Sequence, residues 1–151
     1  MQIADLETLI ERLLDSSEID WARHDQFQGL IIPREGGSVV FIAFEEIEVD
    51  DEPVPLIGLD APLFERVSLE SVPSGRLAQI NHDLLIGKLS WDEDGSRLTL
   101  QHEMVAWPGA AEFRVALQVL ADNANAIRAE LAEEIEGRVD PVAWSDLVEE
   151  Q

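Results

Sequence analysis

Cysteine is absent from this chain of 151 residues. No disulfide, thiolate metal site or cysteine nucleophile is therefore available. Tyrosine is absent as well, which removes one general acid. Lysine occurs once, at Lys88, and Lys plus Arg total 10 against 32 Asp and Glu, giving a net charge of -22. Nucleic-acid binding rests on cations that neutralise phosphates, so such a surface repels an RNA or DNA backbone. An anionic membrane is disfavoured for the same reason. Two roles stay open for the charge: a solvated surface that resists self-association, and attraction of a basic partner. No apolar run approaches the ~20 residues of a membrane-spanning helix. The opening MQIADLETLIERLL has neither a basic segment nor a continuous apolar one. It predicts no signal peptide, and the cytoplasm is the expected compartment.

With 46% apolar residues, the chain has the composition of a globular domain rather than a disordered one. No internal repeat, low-complexity tract or linker divides it, so residues 1–151 are expected to form a single domain. Ile3, Leu6, Ile10, Leu13 and Leu14 recur at spacings of three and four, predicting an amphipathic helix over 2–15. FQGLII at 27–32 reads as a strand ended by Pro33, and Arg34-Glu35-Gly36-Gly37 as the turn into the next strand, 38–47. Five acids and three prolines make 48–64 a loop by composition, with Leu59, Leu63 and Phe64 available to tuck onto the core. RVSLESV at 66–72 alternates weakly and is expected to form another strand. A short helix over 75–83 follows, with Leu77, Ile80 and Leu84 on one side.

The run from Leu85 to Met104 has period two on both sides of Asp92-Glu93-Asp94-Gly95. This pattern predicts an antiparallel hairpin half exposed to water, with an Asp-Gly turn at its tip. Phe113, Leu117, Leu120, Ala124, Ile127 and Leu131 then step along a long helix over 110–136, which Gly137 suits as a terminator. A terminal turn beginning at Asp140-Pro141 offers Trp144 and Leu147 for docking.

The three consecutive acids are the one cluster that resembles a metal or catalytic site. A calcium loop counted from Asp92 places Asp94 and Ser96 at positions three and five. It then meets Arg97 where glycine belongs, and strands where helices should flank. The acids read better as solvated turn residues. His24, His82 and His102 form no HExxH or related pattern, and no Walker loop, GxSxG elbow or GxGxxG occurs. Neither a cofactor nor a metal is expected. An acidic metal-binding protein or a carboxylate-based hydrolase stays as the alternative, because 32 acids supply many pairs.

A different signal comes from SVVFIAFEEI. Val39, Phe41 and Ala43 point one way along this strand; Val40, Ile42 and Phe44 point the other. One face should meet the protein's own helices. The other needs cover from more of the chain, a second copy or a bound partner. The face of Leu30, Val40, Ile42 and Phe44 is the candidate protein-binding surface.

The segment over 77–137, with LAQINHDLLIGKLSWDEDGSRLTLQHEMVAW running into the long helix, resembles the YbjN-like proteins. These share the type III secretion chaperone-like α+β fold. The resemblance rests on the helix bearing Asn81, the strand entering Asp-Glu-Asp-Gly, the second strand and the closing helix. It implies a small acidic homodimer that binds an extended segment of a client, and it carries over no catalytic residues. The proline-rich acidic stretch at 48–64 and the Trp144 turn depart from the pattern. The expected fold is α+β: an antiparallel sheet of about five strands packed against an N-terminal helix, a short middle helix and a long C-terminal helix. The expected function is a non-enzymatic protein-binding module, chaperone-like or regulatory, for a partner that is basic. A structural subunit of an assembly is a further alternative.

Overall fold

The computed structural model describes residues 3–23, 29–34, 39–67, 74–92, 97–105, 109–134 and 140–141. Helix α1, Ile3–Ser16, buries Leu6, Ile10 and Leu14, three members of the predicted stripe. It ends where Glu18 takes a left-handed φ of 57°. There the Ile19 amide bonds the Leu14 carbonyl at 2.9 Å and the Glu18 amide bonds that of Asp15 at 3.1 Å. That closure satisfies carbonyls the helix would leave open.

Among the described residues seven antiparallel strands form one sheet: β1 (Ala22–Arg23), β2 (Gly29–Pro33), β3 (Val39–Val49), β4 (Glu52–Glu65), β5 (Lys88–Asp92), β6 (Arg97–Val105) and β7 (Asp140–Pro141). The spatial order is β1-β2-β3-β4-β6-β5, and β7 pairs with the end of β4. Helix α2, Ser74–Asp83, packs on β5; helix α3, Ala110–Glu134, lies across β4, β6 and β3; α1 lies on β3. The fold is therefore α+β with N-terminal, middle and C-terminal helices, as the sequence implied, and two of the seven strands are only two residues long.

The stretch 48–64 is not a loop. Most of it is β4, the longest strand, and its register with β3 runs from Phe41↔Asp60 to Val49↔Glu52. The composition misleads because each proline sits where no ladder bond is needed. Pairing with β3 continues past Pro53 and Pro55, so these residues must turn their missing N–H away from β3. On that side the described pairing with β6 begins only at Leu56. Pro62 borders a register shift before Phe64, and Arg128 Nη2 donates to the Pro62 carbonyl at 3.0 Å. Leu59, Leu63 and Phe64 are buried, as expected. The turn into β4 is Asp50-Asp51, with φ of 52° and 64°, the primed geometry that suits a two-residue hairpin.

Of the strand expected over 66–72, Arg66 and Val67 are irregular and the rest lies outside the described residues. So do the glycine turn over 35–38, the tip over 93–96, and Trp144 with its neighbours. The hairpin expected from Leu85 starts only at Lys88: Gly87 has a φ of 89° and Leu85 is fully exposed. All six residues of the α3 seam are buried, joined by Ala116 and Ala121. They form one core with α1, with Leu30, Ile32, Val40 and Ile42, and with Ile57, Leu59, Leu98 and Leu100.

Candidate functional site

Both strands of the two-sided pair β2–β3 are apolar on each face, and the helices decide which face is interior. Leu30, Val40, Ile42 and Phe44 are the interior set: each is buried in the core shared with α1 and α3. The apolar face proposed from the sequence as a partner surface is thus covered by the chain's own helices. The period of two identified two faces correctly but carried no information on which one α1 and α3 would occupy.

The opposite face carries Phe41, Ala43, Glu45, Ile47 and Val49 on β3, and by register Asp60, Gly58, Leu56, Val54 and Glu52 on β4. β6 continues it with Gln101, Glu103 and Val105. The face changes character along its length. At one end Val39 and Thr99 are buried. A small hollow of about 150 Å³ lies there between Phe41, Asp60, Pro62, Arg97, Thr99 and Gln101, where Gln101 Nε2 donates to Asp60 Oδ2 at 3.0 Å. A second hollow of about 230 Å³ lies between Arg34 and Gln118 on α3. Both fall short of the ~300 Å³ at which small-molecule pockets begin.

At the other end β3 and β4 run on as an arm. Every β3 residue from Glu45 to Val49 is exposed, on both faces. Ile47 is 42% exposed, Val49 47% and Val105 66%, while Val54 and Leu56 are half-buried. Ile47 pairs directly with Val54, and Leu56 with Val105, so these side chains stand together on the face away from the helices. Glu45, Glu52 and Glu103 share that face, and Glu46 and Glu48 occupy the reverse. The sequence reading missed this surface. Its signal was the alternation Ile47, Val49, Val54, Leu56 on either side of Asp50-Asp51.

The β5 edge of the sheet is met by side chains. Asn81, on α2, accepts the Leu89 amide on Oδ1 at 2.6 Å and donates from Nδ2 to the Leu89 carbonyl at 3.2 Å. Its amide thereby stands in for a neighbouring strand on the side of β5 away from β6. Lys88 Nζ donates to the carbonyls of Asn81 and Leu84, the last turn of α2.

Among the described residues no three His, Asp or Glu gather to hold a metal ion, and no helix is long and apolar enough to cross a membrane. Of the acids considered for calcium, Glu93 and Asp94 lie outside the described residues. His24 does too; His82 closes α2, and His102 sits half-buried beside Leu59. Burial pushes the His102 pKa below its ordinary value of 6.5. Desolvation likewise lowers that of Arg128.

Three helices lie on one side of an antiparallel sheet that ends in an acidic arm with exposed apolar side chains. Residues 4–140 match the family described as T3SS (YopN, CesT) and YbjN peptide-binding chaperone 1, and the chain belongs to that family. That family is of a chaperone-like, peptide-binding kind rather than an enzymatic one. The fold is similar to the crystal structure of YbjN from E. coli, with a TM-score of 0.56 and 16% identity, covering 85% of this chain and 93% of that one. No curated protein matches the chain.

Proposed function

We propose that this protein holds an exposed segment of a partner polypeptide without chemically altering it, as a chaperone or a regulator of that partner. The observation that carries the reading is the family match over residues 4–140, in a sheet whose outer face keeps apolar side chains in water. Membership of a peptide-binding family supplies the class of ligand, and the exposed apolar face supplies a means of holding it. At ~25 cal/mol per Å2, burying a modest patch yields a few kcal/mol before association costs, enough for transient binding. The net charge of -22 favours a basic partner and speeds encounter with it.

The resemblance to secretion chaperones adds a homodimer and a cytoplasmic site of action to the proposal. Sedimentation equilibrium measures the first, and cell fractionation the second. The binding reading itself is tested by probing a library of unstructured peptides with the purified protein. A set of bound peptides enriched in Lys and Arg is expected. A protein that retains no peptide above background would sink the proposal.

A further inference from the structure

We infer that the arm formed by the distal halves of β3 and β4 is the docking surface, and that its occupant is an extended polypeptide segment alternating cationic and apolar residues. This rests on the peptide-binding reading above and assigns it a place. Ile47, Val49, Val54 and Leu56 stand on one face of the arm with Val105 of β6 beside them, three of the five between 42% and 66% exposed. Single exposed apolar residues are ordinary, but five on one face of a ribbon are a patch.

The form of the occupant follows from the edge. Strand addition needs outward N–H groups, and along the margin of β4 before Leu56, where no described residue pairs, the outward positions are Pro53 and Pro55. A partner must therefore lie on the face, where side chains rather than backbone do the recognising. Its charge follows from the rim. No Lys, Arg or His occurs between Arg34 and Arg66, while Glu45, Glu46, Glu48, Asp50, Asp51 and Glu52 crowd the arm. A second copy would bring the same acids against these, at a cost in repulsion. An extended segment with cations at alternate positions sets its apolar residues on the patch and turns its charges outward, where the summed field of the acids that crowd the arm attracts them.

Three labelled synthetic peptides test this by fluorescence anisotropy: alternating Lys–Val, alternating Glu–Val and alternating Lys–Ser. The protein should bind Lys–Val alone, and less tightly as salt is raised. The double variant Ile47→Ser/Val105→Ser changes only exposed side chains, and circular dichroism checks that it folds. It should bind Lys–Val at least about tenfold more weakly, the usual cost of truncating an interface centre. Unchanged affinity in that variant overturns the arm while leaving a peptide-binding module. Binding of Glu–Val as tight as Lys–Val overturns the cationic occupant. Self-association of the parent that the double variant abolishes assigns the arm to a second copy instead. Binding of none of the three removes both this inference and the reading beneath it.

Discussion

Replacing Asn81 with alanine tests how the sheet closes its β5 edge. The side-chain amide makes two hydrogen bonds to one residue, accepting from the Leu89 amide at 2.6 Å and donating to its carbonyl at 3.2 Å. Leu89 is opposite Leu100 in the ladder, and its own polar groups turn to the edge. Each bond contributes about 1 kcal/mol net, so Asn81→Ala should cost about 2 kcal/mol, provided water replaces the amide only poorly. For a chain of this size that corresponds to a fall in melting temperature of about 4–8 °C. Asn81→Asp keeps the acceptor but aims a carboxylate at the Leu89 carbonyl, so it should rescue only part of the loss. Urea unfolding gives the free energies, and hydrogen exchange at the Leu89 amide localises the effect. A loss under about 0.5 kcal/mol, the level of a neutral surface change, would refute the argument. It would mean that water closes this edge as well as the amide does.

Three further outcomes follow from the same structure. Asp50 and Asp51 hold left-handed φ at the β3–β4 turn beside four other acids, so Asp51→Gly should raise the urea midpoint by the equivalent of about 0.5–1 kcal/mol. Gly87 has a φ of 89°, and a Cβ there would stand 2.9 Å from Leu120 Cδ1 and 3.2 Å from Leu100 Cδ1. Gly87→Ala should therefore destabilise by about 2–4 kcal/mol, and a melting temperature equal to the parent's would contradict the packing described. His102 titrates below its ordinary 6.5 because burial disfavours the imidazolium, so the unfolded chain takes the proton first as pH falls. Its contribution is complete above about pH 6.5 and drains as pH drops toward the lowered folded value. The many carboxylates also respond to acid, so the readout is the stability difference between parent and His102→Gln. That difference should shift against the parent below about pH 6.5 and stay flat above it.

Helices α1, α2 and α3 were legible because each buries one stripe, and spacings of three and four mark that stripe in any context. Asn81 stood out as part of the family pattern, but its role did not: a side chain that mimics a strand leaves no periodic trace. β4 was hidden by composition. Prolines and acids usually mean a loop, and only the pairing partners reveal that Pro53 and Pro55 face a side where the described pairing with β6 has not begun. The face of Leu30, Val40, Ile42 and Phe44, expected from the sequence to meet a partner, lies in the core for a related reason. In β3 both faces are apolar near Phe41 and Ile42, so the interior one is fixed by where α1 and α3 land, a long-range fact absent from local pattern.

The same contrast separates buried from exposed apolar residues. Val40 and Ile42 lie in the core, and burial within the chain explains their chemistry. Ile47 and Val49 are 42% and 47% exposed and Val105 66%, so their apolar character adds less to the chain's own folding. A ribbon this exposed would be more soluble with Thr or Lys at those positions, and the ring of acids around it offsets an aggregation hazard that the apolar face itself creates. An apolar patch that its own chain leaves half uncovered, ringed by one sign of charge, is the arrangement that the docking proposed above requires.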